Sequence, residues 1–248
     1  MFKLVFRVTS MLVVLGLFGT VNFTFGQGAS GSLSGVVTDQ QGGVIAGATV
    51  EATETSTGQK HTVTTSDNGS YTIPNLAVGV YTVTATGANF APTTVRDLKI
   101  SVAFNTNQDF TLNPQGASET VVVTTGDAAT QLNTTDQQLS TIIEQKKIID
   151  LPLLSRDPNA LILLSPGTVS SNSALGGFSV NGQRERNNNF MVDGIDNNDA
   201  DVPGIPGGIA TPNIDATQEF RVITGNFNAE YGRNTGAIIA VATKNGTN

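Results

Sequence analysis

His61-Thr-Val-Thr-Thr-Ser-Asp-Asn-Gly-Ser-Tyr-Thr-Ile73 decides the fold class of the first half of this chain. Apolar and polar residues alternate on both sides of Asp67-Asn-Gly69, which is turn chemistry of the kind that joins strands. The expectation is a hairpin, with Tyr71 and Ile73 facing one way. The same period of two recurs outward in both directions. Ser32-Leu-Ser-Gly-Val-Val-Thr38 places Leu33 and Val37 on one face, and Asp39-Gln-Gln-Gly-Gly43 turns the chain. Ala48 to Ala52 reads as another strand. Val80 to Ala85 alternates and should bury Tyr81, Val83 and Ala85. Leu98 to Val102 and Asp109 to Leu112 complete the set. Several short strands at regular spacing, separated by turn residues, predict a β-sandwich over residues 31–114.

Composition agrees. The chain has 248 residues, 27 of them glycine, and only 13% are charged. Abundant Gly, Thr and Asn suit strands joined by turns. Cysteine is absent, which removes disulfide and thiolate chemistry. The net charge of −7 argues against a nucleic-acid partner, which needs a basic face.

The N-terminus reads as an address. Lys3 and Arg7 mark a positive region and Met11 to Phe18 is a short apolar run. Thr24 and Gly26 supply small residues before Gln27. This is the pattern of a cleaved export signal over residues 1–26. The apolar run is short for a membrane span, and so are Ala160 to Leu164 and Ala237 to Ala242.

The first half also resembles a family. Gly35-Val-Val-Thr-Asp-Gln-Gln-Gly-Gly-Val-Ile-Ala-Gly-Ala-Thr-Val50, Thr65-Ser-Asp-Asn-Gly-Ser-Tyr-Thr-Ile-Pro-Asn-Leu76 and Gly79-Val-Tyr-Thr-Val83 look like the carboxypeptidase regulatory-like domain. The resemblance implies a transthyretin-like sandwich without catalytic residues. His61, the single histidine, has no second ligand at metal spacing.

After the sandwich, Asn113 to Ser118 reads as a linker. Glu119-Thr-Val-Val-Val-Thr-Thr125 then has the composition of one more strand. Residues 126–248 mix short elements into an α+β pattern. Gln138 to Ile143 suits a strand and Glu144 to Ile149 a short helix. Pro158 marks the first turn of a further helix that runs through Leu164. Phe178 to Gly182, Phe190 to Gly194, Glu219 to Thr224 and Ala237 to Thr243 suit strands.

Four pieces of this region resemble, in order, the plug domain of TonB-dependent receptors. They are Leu151-Pro-Leu-Leu-Ser-Arg156 with Leu164-Ser-Pro-Gly167, then Val180-Asn-Gly-Gln-Arg184, then Phe190-Met-Val-Asp-Gly194. The fourth is Gln218-Glu-Phe-Arg-Val-Ile-Thr-Gly225, continuing through Ala229-Glu-Tyr-Gly-Arg233 to Lys244. Details such as Asn226-Phe-Asn-Ala-Glu-Tyr-Gly-Arg233 look most like the Oar-like branch. The resemblance gives Glu119 to Thr125 a second reading, as a TonB box. Such a segment (Glu119, Thr120, Val121, Val122, Val123, Thr124, Thr125) pairs as an added strand with the periplasmic TonB protein of the inner-membrane energising complex. Strand addition grips through the backbone and selects through alternate side chains.

No catalytic constellation is legible: there is no nucleophile elbow, phosphate loop or histidine-rich metal motif. Asp193, Asp196, Asp199 and Asp201 cluster, but Gly207 stands where an EF-hand needs its bidentate Glu. The plug resemblance makes Asn187, Asn188, Asn189, Asp196 and Asp199 candidate contacts to an unidentified ligand. No metal or cofactor is expected. The functional expectation is an outer-membrane import gate whose periplasmic portion begins with the sandwich. In a receptor of this kind a large barrel follows Thr243-Lys-Asn-Gly246, and its lumen needs a plug. That barrel is expected to lie outside these residues. A periplasmic binding or adhesion module without transport activity is the alternative.

Overall fold

The computed structural model describes residues 30–115, 121–124, 137–152, 157–171, 176–201, 205, 208–229, 231–232 and 234–245. The expected export signal lies outside them. Among the described residues the chain is mainly β, and its sheets do not close into a barrel.

The first domain is built from β1 (Ser30–Asp39), β2 (Thr49–Glu54), β3 (Lys60–Thr64), β4 (Ser70–Ala77), β5 (Gly79–Thr86), β6 (Thr93–Ile100), β7 (Asn105–Asn107) and β8 (Phe110–Leu112). They form two facing sheets. One has the order β4-β1-β7, with β8 also pairing with β1. The other has the order β3-β2-β5-β6 and is completed by β9 (Val121–Thr124). Period-two burial explains why the sheets face each other. Leu33 and Val37 point inward from β1, Tyr71 and Ile73 from β4, and Val50, Ala52, Tyr81, Val83 and Ala85 from the second sheet. The alternating polar residues stay outside.

The hairpin expected around Asp67-Asn-Gly69 does not form. β3 pairs with β2 and β4 pairs with β1, so the turn carries the chain from one sheet to the other. The turn itself is present: Gly69 has φ of +72°, and its N–H donates to Ser66 O at 2.8 Å. Turn chemistry specifies the reversal, and burial decides which neighbour each strand pairs with. Val63 reaches the core from one sheet and Tyr71 from the other. The strand expected at Leu98 to Val102 begins earlier, at Thr93, and ends at Ile100.

The second domain contains β10 (Leu139–Glu144), α1 (Gln145–Asp150), β11 (Thr168–Ser170), β12 (Phe178–Val180), β13 (Asn189–Val192), β14 (Ile195–Asp196), β15 (Thr217–Gly225) and β16 (Ile238–Thr243). Its main sheet runs β10-β15-β16-β13-β14. One face holds Phe220, Val222, Ile239 and Val241 over a core shared with Ile148, Leu161 and Phe190. Pro158–Leu164 is helical as expected, but of the tighter 3-10 type. Asp157 caps its start by accepting the Asn159 N–H. Asp193 and Gly194 both have positive φ, which is the geometry of the two-residue turn joining β13 to β14.

The opposite face of this sheet meets the first domain. Ala240 and Ala242 pack against Val78 and Val102. Glu219, 2% exposed, accepts from the Val102 N–H at 2.8 Å and the Ser101 hydroxyl at 3.2 Å. Arg221, fully buried, donates to the carbonyls of Val102 and Ala103 and lies over the Phe104 ring. Burial pushes the Glu219 carboxyl above its ordinary range. The Val102 N–H, Lys99, Ser101 and Arg221 pull the other way.

Two outcomes test this packing. Gly35 lies against Gln108, and an added Cβ would sit 1.9 Å from the Gln108 carbonyl oxygen. Gly35→Ala should cost at least about 2 kcal/mol in chemical denaturation. A loss within about 0.5 kcal/mol would show that β1 and the Gln108 segment can move apart. Glu219 has a raised folded pKa, so its favourable contribution is present at acid pH. It fades as pH climbs from the ordinary carboxylate range through the raised value. Glu219→Gln should flatten that part of the stability–pH profile, and an unchanged profile would contradict the burial.

Candidate partner strand and candidate ligand loop

Of the expected partner segment, Val121–Thr124 is described. Glu119, Thr120 and Thr125 lie outside the described residues. Val121–Thr124 is a strand, β9, and it pairs in parallel with β6. Val121 stands opposite Thr93, Val122 opposite Thr94, Val123 opposite Val95 and Thr124 opposite Arg96. β-branched residues in succession favour this extended backbone. β9 is the outermost strand in the order β3-β2-β5-β6-β9. Among the described residues no strand pairs with its other side. An edge strand offers unpaired N–H and C=O groups, which is the requirement for accepting another strand.

The ligand-loop candidates do not form one cluster. Asn188 is buried. Its amide nitrogen donates to Phe178 O at 2.9 Å, and its amide oxygen accepts from Ala237 N–H at 3.0 Å. It therefore ties β12, the start of β13 and the approach to β16 together from inside. Asn187 is half-buried at the end of a short 3-10 helix and reaches Gln183 at 3.3 Å. Asn189 and Asp196 are linked through Asn198, whose amide donates to both. Asp199 accepts from the Asp201 N–H at 2.8 Å. Asp196 likewise accepts from the Asn198 N–H at 2.9 Å, and such local side-chain-to-backbone bonds shape the loop itself. Asp193 is engaged elsewhere, accepting from both the N–H and the hydroxyl of Thr243. Among the described residues no group of three or more His, Cys, Asp and Glu side chains could hold a metal ion.

A groove of about 490 Å³ opens between the two domains, bordered by Ser32, Asn75 and Asn105 on one side and Met191 and Tyr231 on the other. None of the five loop candidates lines it. The buried pair Glu219 and Arg221 had no sequence signal. Their alternation with Phe220 and Val222 marks a strand, but not a charged face that is covered.

Residues 32–113 match the family model of the carboxypeptidase regulatory-like domain. The first domain is a carboxypeptidase regulatory-like domain. The similarity continues past it. The TonB-dependent transporter Oar of Myxococcus xanthus is 27% identical over 254 residues, an alignment that covers 98% of this chain and 23% of that protein. The chain thus spans less than a quarter of the length of this relative. Together, the regulatory-like domain and the long alignment support the N-terminal part of an Oar-like receptor.

Among solved structures, the Bacillus anthracis TIE protein is similar at a TM-score of 0.30 and 22% identity, over 35% of this chain and 17% of that one. A putative carbohydrate binding protein from Bacteroides uniformis ATCC 8492 gives a TM-score of 0.31 and 24% identity, over 35% of this chain and 43% of that one.

The loop geometry separates structure from surface. Asn188→Ala leaves the Ala237 N–H and the Phe178 carbonyl without their partner and should cost about 1–3 kcal/mol. Asp199→Ala, at a half-exposed position, should stay within about 0.5 kcal/mol. Thermal unfolding of the two variants checks this, and equal losses would contradict the placement of Asn188.

Proposed function

We propose that this chain is the N-terminal periplasmic and plug region of an outer-membrane TonB-dependent receptor that gates energised ligand uptake. The observation that carries the reading is the reach of the similarity to Oar. It runs through the regulatory-like domain and on across the second domain, to 98% of this chain. In this reading residues 1–26 direct export, the regulatory-like domain stands in the periplasm, and residues 126–248 are the plug. The role is one of binding and gating rather than catalysis.

Glu119 to Thr125 is the segment for the TonB partner. The edge position of β9 supports this, because a strand at the rim of a sheet can be read by a second strand. TonB pairs with the segment and pulls, and the pull is relayed to the plug. The barrel that the plug closes belongs to the same receptor. Asn187, Asn189, Asp196 and Asp199 are the proposed contacts to ligand, with Asn188 holding the loop that carries them.

Val122→Pro tests the partner assignment. Proline removes one N–H donor and fixes φ, so it cannot complete an added strand. Calorimetric titration with a purified TonB C-terminal domain should show binding to the unaltered chain and at least a ten-fold loss for the variant. Equal affinities would remove Glu119 to Thr125 from the interface.

A further inference from the structure

The groove between the two domains is floored by the outer face of one sandwich sheet. On β1 Leu33 and Val37 enter the core, so Ser30, Ser32 and Ser34 face the other way. Thr72 stands opposite Ser34 across the β1–β4 ladder, and Asn105 opposite Ser32 across the β1–β7 ladder. All five border the groove. The alternation that fills the core with apolar residues therefore lays hydroxyl and amide groups on this floor. The second domain faces them with Met191, Asn228 and Tyr231.

The floor is ordered in advance. The Ser32 hydroxyl donates to Asn105 Oδ1 at 3.0 Å, and Asn105 Nδ2 donates to Ser34 Oγ at 2.9 Å. One amide thus holds two serines in place, which lowers the ordering cost of binding. The row still has capacity. A hydroxyl supplies one donor and two acceptor sites, and a primary amide supplies two donors. Ser34 accepts from Asn105 and keeps its own proton to donate, and Asn105 keeps its second N–H. Asn75 adds another amide at the rim, displayed by a backbone with φ of +56°. Among the described residues that border the groove, none carries a formal charge.

We infer that this groove is a binding site for a neutral oligosaccharide, held by the Ser32–Asn105–Ser34 row and packed against Tyr231. Sugar hydroxyls both donate and accept, which matches a mixed floor of serine and asparagine. The C–H faces of a sugar ring pack on an aromatic ring, and tyrosine joins such a ring to a polar tip. The groove's volume of about 490 Å³ lies within the ~300–1,000 Å³ of small-molecule sites. A charged ligand would lose hydration to a lining that returns no counter-charge. An extended peptide is a poorer match, because β1 is flanked by β4 and β7 and its backbone groups are already used in their ladders. The site is separate from the loop contacts proposed above and does not depend on TonB pairing.

Nuclear magnetic resonance titration of the full chain tests this. The probes are maltotriose, cellotriose and triacetylchitotriose, with trialanine and citrate as controls. At least one trisaccharide should shift the Ser32, Ser34 and Asn105 amide signals saturably, with millimolar or tighter affinity, and neither control should do so. Absence of a saturable shift with all three sugars would overturn the inference. Shifts confined to residues 187–199, or equal shifts with trialanine, would overturn it too. Two substitutions then approach the groove from opposite sides. Asn75→Gly removes an amide and keeps the left-handed backbone, and Tyr231→Ala removes the ring. Each should weaken the sugar at least about five-fold while the β5 signals stay in place. Unchanged affinity in either folded variant would overturn the inference. If a variant lost the β5 signals, the unaltered chain and the other variant would decide.

Discussion

Keeping two ionisable side chains partnered away from water is the constraint on which the arrangement of this molecule depends. Glu219 and Arg221 lie between two separately cored domains. Each domain could bury its own apolar face alone. The groups that match the pair come from both sides: loop Ser101–Phe104 of the first domain meets Glu219 and Arg221, and Arg221 also donates to Ser140 Oγ at 2.9 Å in its own domain. Apolar packing at the junction is modest, with small residues such as Ala240 and Ala242 facing Val78 and Val102. Hydrophobic contact brings surfaces together without fixing their register. The hydrogen-bonded pair supplies the register.

The regulatory-like domain thereby makes contacts on two sides. In its second sheet β6 holds β9 along one edge and leads into loop Ser101–Phe104. Gln138, just before β10, reaches the same junction, with its side-chain oxygen accepting from Arg221 at 3.4 Å. β9 pairs with the Thr93–Arg96 end of β6, and the start of the second domain's sheet is tied to the domain junction through Gln138.

Much of this was legible in the sequence, and the failures have physical reasons. Alternation located β1, β2, β5 and β15, because a half-buried strand must repeat every second residue. It also named the inward residues Leu33, Val37, Tyr71, Tyr81 and Val83. The partner of each strand was less legible. Asp67-Asn-Gly69 encodes a reversal, and a reversal can either pair two strands or pass the chain across a sandwich. The tightness of the Pro158–Leu164 helix was also hidden, since a proline at the first turn suits both helix types. Asn188 was the least legible of the site candidates. Three consecutive asparagines look alike in sequence, and only the tertiary contacts to Phe178 and Ala237 single out the middle one. The contacts of Glu219 and Arg221 with loop Ser101–Phe104 were invisible for the same reason: the two sides are more than a hundred residues apart, and nothing local marks Glu219 as covered.

In the proposed function a partner strand reads the segment around β9. Competition measures this most directly. A purified TonB C-terminal domain, bound to the full chain, would be challenged with a synthetic peptide spanning Glu119 to Thr125 and with a scrambled peptide of the same composition. Displacement by the native peptide alone is the expected result. Binding that neither peptide disturbs, or that both disturb equally, would contradict it.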